Sequence, residues 1–375
     1  MMIKKRILKK CFAGIFGTIA ISFTVLAIFF HCTTGNASGF IRFAEAAYIL
    51  RSRALHSNQD LIDGAIFGMT AALEDRYSTY YYGEAFERFQ DQLSGQYDGI
   101  EVYLGEEAGH PYISGLIPGG SGEESGIKAG DILLSVDGTS VESLAMEEIA
   151  NRVRGEAGTT VTLEVQRDGQ ILSFAVPRKK ITVETVYSRM MDDKTGYIQI
   201  RYFSDHTAAE FAKAFTQLKE KGMDRWILDL RFNPGGNLEE TVKIAELFFP
   251  KGNVVQVVDK NSSQEVYAVN GVEKPLPMAV LVNEQSASAS EILAGAIQDY
   301  GLGKVIGTTT YGKGSVQGIY PIGENRVMKI TIAKYLTPNG REIDGIGVAP
   351  DIEVPFSFEN GYDHQLERAR EVLNS

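Results

Sequence analysis

Two short apolar runs, Trp226-Ile227-Leu228-Asp229-Leu230 and Met278-Ala279-Val280-Leu281-Val282, constrain this chain more than any other feature. Each has the length of a strand and reads as a buried one. The first runs into Asn233-Pro234-Gly235-Gly236 and a helix carrying Val242, Ile244, Ala245, Leu247 and Phe248. The second runs into Glu284-Gln285-Ser286-Ala287-Ser288-Ala289-Ser290 and a helix over 291–300. Strand–loop–helix units of this kind favour an α/β layered core, here expected over 181–355. Such cores gather functional groups on loops at the carboxyl ends of their strands.

Upstream, over 92–180, the texture changes to short strands with glycine turns. Asp137-Gly138 closes the run 132–136, and Val161, Leu163 and Val165 alternate up to Asp168-Gly169. Leu172, Phe174 and Val176 alternate again beyond it, a hairpin pattern. With one helix over 146–153, this part is expected to be a small, partly open β-barrel. Residues 38–91 form a helical segment, in which Asn58 is placed to cap a helix with Leu61, Ile62, Ala65, Ile66, Met69 and Leu73 on one face. The tyrosine-rich stretch 75–82 is expected to pack between domains or subunits. The tail, 356–375, reads as a short exposed helix.

Residues 1–37 carry a basic tip, Lys4, Lys5, Arg6, Lys9 and Lys10, and an uncharged apolar run over 11–30. Roughly 20 apolar residues suffice to span a bilayer as a helix. The positive cluster belongs in the cytoplasm, which places the body outside. A single-pass anchor in the cell membrane is the expectation. A cleaved signal, leaving a secreted or periplasmic body, is the alternative, because Gly35-Asn36-Ala37 resembles a cleavage site.

The net charge of −11 leaves no basic footprint for nucleic acid. Cys11 and Cys32 are the only cysteines, so the body beyond residue 37 holds no disulfide and no cysteine metal site. The five histidines are scattered without a His-x-x-x-His pair, and no metal is expected.

Ser288 sits where a buried strand has ended and a helix is about to begin. Main-chain N–H groups there lack intrahelical partners, and the helix dipole adds positive charge. An oxyanion near Ser288 would meet such donors, above all the N–H of Ala289. The plainer account is that Ser286, Ser288 and Ser290 compete to cap the helix, with Glu291 simply favoured in its first turn. A serine hydroxyl needs a base, and no histidine falls between His206 and His364. Lys313, in Tyr311-Gly312-Lys313-Gly314, offers another route if burial lowers its pKa from about 10.4 toward neutrality. Val305, Ile306, Tyr311, Val316 and Ile319 supply apolar surroundings, and Gln317 is placed to hold the amine. Without Ser288, the same lysine reads as a solvated loop residue. The loop holding Gly235 and Gly236 offers a second oxyanion donor or merely a tight turn, and the two glycines are not distinguished.

Residues 283–296, Asn283-Glu284-Gln285-Ser286-Ala287-Ser288-Ala289-Ser290-Glu291-Ile292-Leu293-Ala294-Gly295-Ala296, closely resemble a signature of the carboxyl-terminal processing, or tail-specific, serine peptidases. Tyr311-Gly312-Lys313-Gly314-Ser315-Val316-Gln317 and Asp229-Leu230-Arg231-Phe232-Asn233-Pro234-Gly235-Gly236 match two further family blocks. Gly126-Ile127-Lys128-Ala129-Gly130-Asp131 looks like the signature of the PDZ domain these enzymes carry. Leu336-Thr337-Pro338-Asn339-Gly340 resembles their late strand and turn. The likeness spans roughly residues 40–355.

The resemblance implies a PDZ-like, partly open β-barrel inserted before an α/β layered peptidase core, with no cofactor; the membrane helix and helical segment ahead of them rest on the residues alone. It makes Ser288 the nucleophile, Lys313 the base and Gln317 the residue orienting it, with Ala289 and either Gly235 or Gly236 as oxyanion donors. The middle serine is chosen by likeness alone. The PDZ region implies partners with exposed carboxyl tails, bound as an added strand with the carboxylate in the turn Tyr97-Asp98-Gly99-Ile100-Glu101-Val102. Gly99 and Ile100 are the expected tail-binding residues, with the helix over 146–153 as the groove's other wall. Many relatives have glycine where Glu101 stands; strand alternation points this side chain outward. Arg154, ending the groove helix, is a candidate relay to the active site. The N-terminal helices make a homodimer a candidate. The rival readings are a catalytically silent PDZ adaptor and an isomerase or hydratase acting on coenzyme A thioesters, the latter disfavoured because no glycine-rich phosphate loop occurs.

Overall fold

The computed structural model of the chain describes residues 28, 31, 37–55, 60–107, 109–359 and 362–374. The apolar run expected to cross a membrane, apart from Ile28, lies outside them, as do both cysteines and Asn58. Among the described residues no helix is long and apolar enough to span a bilayer. The chain divides into two units, 1–74 and 75–375.

The first unit holds the helices Ala37–Arg53 and Leu61–Ala71. Asp60 caps the second, its carboxylate accepting the N–H groups of Ile62 and Asp63 at 2.8 and 3.4 Å. Of the residues read as one apolar face, Ala65 and Ile66 are part-buried. Leu61, Ile62, Met69 and Leu73 are exposed while Asp63 and Thr70 are buried.

The second unit begins with the tyrosine stretch, which is a strand. Thr79–Tyr82 pairs antiparallel with Arg326–Leu336, Tyr80 lying opposite Met328. Burial of the Tyr80 ring, rather than a subunit contact, accounts for part of the aromatic density.

The small barrel follows. Its antiparallel sheet runs in the order Val102–Glu107, His110–Leu116, Ile132–Val136, Thr160–Arg167, Gln170–Pro177. Asp168 and Gly169 both take positive φ at the last hairpin, as a two-residue primed turn requires. Ile113, Leu133, Ile149, Val161, Leu163 and Val165 form its core. Val102–Glu107 is an edge strand of this sheet, and the helix Met146–Val153 packs beside it.

Entry to and exit from the barrel meet in a two-stranded neck, Gln96–Gly99 against Lys179–Thr182. Arg178, buried at the barrel's end, donates to Val153 O and Arg152 O at 3.0 and 2.9 Å, satisfying carbonyls at the carboxyl end of Met146–Val153. His206 pins the neck, its Nδ1 lying 3.2 Å from Ser94 O and its Nε2 3.1 Å from Val183 O.

The core is a six-stranded sheet ordered Val186–Met190, Thr195–Ile200, Arg225–Asp229, Met278–Val282, Gly303–Gly307, Ile352–Glu353. All pairs are parallel except the first. Trp226, Leu228, Val280, Val282 and Val305 pack with residues of the helices Thr207–Glu220, Leu238–Glu246 and Ala289–Tyr300. Ile227, Ala279, Leu281 and Ile306 point the other way and need cover of their own. The helix His364–Asn374 supplies it, with Ala369 fully buried and Leu366, Val372 and Leu373 packed on the same cluster. The tail expected to be an exposed helix is therefore a docked layer of the core. A second sheet holds Gly252–Asp259, Gln264–Val269, Ser315–Pro321 and Arg326–Leu336 with the tyrosine strand.

Candidate active site

The loops after the two apolar strands are stitched together by buried side chains. Asn283 accepts the N–H groups of Phe232 and Gln285 at 2.9 and 3.2 Å. Ser286 Oγ donates to Leu230 O at 2.8 Å, and Ser290 Oγ donates to Asn233 O at 3.0 Å. Both serines are fully buried and their hydroxyls are engaged. Ser288 differs on each count. It is partly exposed, its side chain accepts the Glu291 N–H in a capping box but donates to no group among the described residues, and its backbone is held at φ 55°, ψ −113°. Positive φ at a non-glycine residue is strained, and such strain clusters at functional turns.

Gly235 lies against this turn at φ 98°, where an added Cβ would meet Ala287 O and Ser288 Cβ at 2.7 Å and Ala289 N at 3.0 Å. Its own N–H donates to Asn233 Oδ1 at 2.8 Å. Neither the N–H of Gly236 nor that of Ala289 has a hydrogen-bond acceptor among the described residues.

Lys313 stands on the loop after Gly303–Gly307, the strand paired with Met278–Val282. Its amine lies 4.8 Å from the centre of the Tyr77 ring. Burial, followed by Lys329, pushes its pKa down, against the opposing pull of Glu291 and Asp75. No hydrogen bond joins Lys313 Nζ to Ser288 Oγ among the described residues. The two main chains are nevertheless brought together by Glu291. This fully buried carboxylate accepts the N–H of Ser288 at 2.8 Å, of Lys313 at 2.9 Å and of Gly312 at 2.7 Å, and the Thr310 hydroxyl at 2.6 Å. A residue read as merely favoured in a helix's first turn is thus the joint between two loops. Gln317 donates to Ser315 Oγ at 2.9 Å and Thr331 Oγ1 at 3.3 Å, with no bond to Lys313 among the described residues.

Tyr77 escaped sequence reasoning because it is remote from Lys313 in the chain; the available signal was the tyrosine cluster beside Asp75-Arg76. Tyr335, whose hydroxyl also reaches this site, had no local signal.

In the barrel, Gly99 is buried opposite Lys179 in the neck, and Ile100 is buried in the core. The N–H groups of Ile100 and Glu101 donate to no backbone carbonyl among the described residues and adjoin the edge strand. Glu101 is not part of a strand. It takes φ 61°, and its carboxylate accepts the N–H of Ser121 at 2.7 Å at the start of the one-turn helix Ser121–Glu124. Gly120 makes room, since a Cβ there would meet Glu101 Cβ at 2.6 Å. Strand alternation therefore does not set this side chain's direction. Arg154 lies over the Tyr97 ring, 5.2 Å from its centre.

A barrel with an open edge strand, necked onto an α/β core that presents a strained serine beside a lysine loop, defines a PDZ-coupled protein of the serine-peptidase type. Residues 88–166 match the PDZ domain profile and residues 194–354 match that of Peptidase family S41. The carboxy-terminal processing protease CtpA of Bacillus subtilis (strain 168) is 40% identical over 296 residues, covering 78% of this chain and 64% of the relative. CtpB of the same organism is 35% identical over 329 residues, covering 84% and 68%. The chain spans about two thirds of these relatives' length. The solved photosystem II D1 C-terminal processing protease is 25% identical with a TM-score of 0.52, covering 94% of this chain and 96% of that one. This chain belongs to the carboxy-terminal processing proteases of peptidase family S41.

Proposed function

We propose that the chain is an extracytoplasmic serine endopeptidase that selects protein carboxyl tails through its PDZ domain and cuts with Ser288 and Lys313. The observation that carries the reading is the difference among three serines: Ser286 and Ser290 are buried staples, while Ser288 alone is strained, accessible and free to donate. Lys313, its amine pushed toward the neutral form by burial, supports the same reading as base.

In the proposed reaction, neutral Lys313 Nζ takes the Ser288 hydroxyl proton as Oγ attacks the scissile carbonyl. The N–H of Ala289 and that of Gly236 receive the oxyanion, since the Gly235 N–H is already engaged by Asn233. The lysine ammonium then returns its proton to the leaving amine, and an ester to Ser288 remains. Water then attacks that ester, losing a proton to Lys313 Nζ, which passes it to Ser288 Oγ as the acyl group leaves as the new carboxyl end. Gln317 serves as orienter by releasing Thr331 and turning its amide toward the lysine.

Tail capture is supported by the edge strand Val102–Glu107, its neighbouring helix and the N–H groups of Ile100 and Glu101 at its start. The basic tip and apolar run over 1–30 support an anchor with the body outside. The exposed Leu61, Ile62 and Met69 support a homodimer.

The test follows fragment formation from an unstructured protein with a free apolar carboxyl tail, using the full chain and Ser288→Ala in parallel. Cleavage confined to the unaltered chain supports the reading. Equal cleavage by both removes Ser288 as nucleophile, and tail binding without cleavage by either points to a PDZ adaptor.

A further inference from the structure

We infer that Glu291 and Tyr335 are a positioning pair that clamps the main chains of Ser288 and Lys313 together, the carboxylate from their amide sides and the phenol from their carbonyl sides. The inference rests on the reading of those two residues as nucleophile and base.

The two residues stand on loops that follow different strands, so nothing in the local chain fixes one relative to the other. Glu291 accepts the N–H of both, at 2.8 and 2.9 Å, through the same carboxylate oxygen. Its other oxygen takes Thr310 and Gly312 from the lysine loop. Tyr335, fully buried in the strand Arg326–Leu336, places its hydroxyl 3.1 Å from Ser288 O and in hydrogen-bond contact with Lys313 O. Its own N–H donates to Gly314 O at 2.9 Å, which seats the lysine loop on that strand. The Tyr311 N–H also donates to Ser286 O at 3.0 Å, but only the carboxylate and the phenol, whose one proton is shared between the two carbonyls, bridge Ser288 and Lys313 themselves, and they need no substrate. Charge-assisted bonds to a buried carboxylate are the stronger kind. A nucleophile and base held this way start from the geometry the reaction needs.

The two members differ in charge, and that separates positioning from simple support. Burial, Glu291 and Asp344 push the Tyr335 phenol well above its ordinary pKa, so it stays an O–H donor. Glu291 adds a negative charge beside Lys313 and raises its pKa, with Asp75, against burial, Lys329 and Arg76. Neutralising Glu291 should therefore lower the pH at which the lysine becomes a free base. Removing the Tyr335 hydroxyl should not.

The experiment labels Ser288 of the full chain with a fluorophosphonate probe across pH and measures KM for a cleavable peptide in parallel. Tyr335→Phe should slow labelling by about 100-fold with an unmoved pH midpoint and unchanged KM. Glu291→Gln should slow it as much and shift the midpoint to lower pH. Labelling at the parent rate in either folded variant overturns the clamp, as does a midpoint in Glu291→Gln that stays or rises. If Glu291→Gln does not fold, the rate, midpoint and KM of Tyr335→Phe decide. A parent chain whose Ser288 is not labelled sinks the peptidase reading and the inference with it, an outcome distinct from a labelled parent with parent-like variants.

Discussion

The amine of Lys313 faces the Tyr77 ring, with Lys329 and Arg76 adding positive charge and Glu291 and Asp75 opposing them. Burial is the largest of these influences, and it holds the amine below the ordinary lysine range. Between the folded and unfolded pKa values the unfolded chain then binds more protons. The resulting penalty on stability is full below the folded pKa and fades as pH rises toward the unfolded one. Lys313→Met keeps the stem and removes the charge, so it should raise the melting temperature at neutral pH while abolishing cleavage. A lowered melting temperature would show that burial does not disfavour this ammonium. Tyr77 exerts two opposed effects on it. An aromatic face favours the cation by about 0.5–2 kcal/mol, whereas desolvation can lower a lysine by up to about 3–5 pKa units. Tyr77→Ala should therefore move the acid limb of the pH–rate profile to higher pH. A shift to lower pH would mean that the ring acts chiefly as a partner of the ammonium.

At the scale of elements, Asp229 shows how the carboxyl end of a central strand is held. Its carboxylate accepts the Tyr197 hydroxyl at 2.7 Å and pairs with Arg231, which reaches on to Asp363 and Gln365 at the start of the last helix. That helix then lays Ala369 on the otherwise uncovered face of the sheet. Ala369→Glu would bury an unpaired charge there and should destabilise by on the order of 3 kcal/mol or more. Glu371→Ala, on the exposed side, should stay within about 0.5 kcal/mol. Denaturant midpoints that do not separate the two variants would mean the helix is not docked in solution. The central strands were legible from sequence because both their faces are apolar, and the barrel hairpin because its turn demands Asp-Gly. The last helix reads as exposed because its charged residues match its apolar ones in number and His364, Gln365 and Asn374 add further polarity. The signal for its role lay elsewhere, in Ile227, Ala279, Leu281 and Ile306, whose side of the sheet packs against no other helix among the described residues. For the site, family likeness picked Ser288 among three serines. What sets the middle serine apart in the structure, the carbonyl partners that occupy Ser286 and Ser290, belongs to a loop more than fifty residues earlier. Glu291 and Tyr335 act through main-chain atoms, which no side-chain motif records.

Within the second unit, the proposed tail groove and the proposed catalytic residues fall on separate hydrophobic cores joined by the neck, so any coupling between them depends on how firmly that neck is held. His206 is the pin. Its two nitrogens approach carbonyls on either side of the ribbon, and Gly95 leaves room for the ring, since a Cβ there would meet Cε1 at 2.6 Å. If the barrel holds a substrate's tail, the rest of that substrate meets Ser288 at an effective concentration set by the span and stiffness of the connection. Loosening the neck spreads the barrel over more volume and lowers that concentration without touching the chemistry. His206→Ala should thus speed amide hydrogen exchange in Gln96–Gly99 and Lys179–Thr182 while leaving Val161, Leu163 and Val165 in the barrel protected as before. For a long substrate with a free tail, KM should rise about tenfold with kcat unchanged, the pattern of lost binding that does not change between ground and transition state. A short peptide that cannot reach from groove to serine should be cut at the parent rate. Amidating the long substrate's tail should reproduce the same rise in KM in the parent, because it removes the carboxylate the barrel is proposed to hold. If His206→Ala frees the ribbon yet leaves the long substrate's KM unchanged, the neck does not set the coupling. If amidation also has no effect, tails are not captured by this barrel at all.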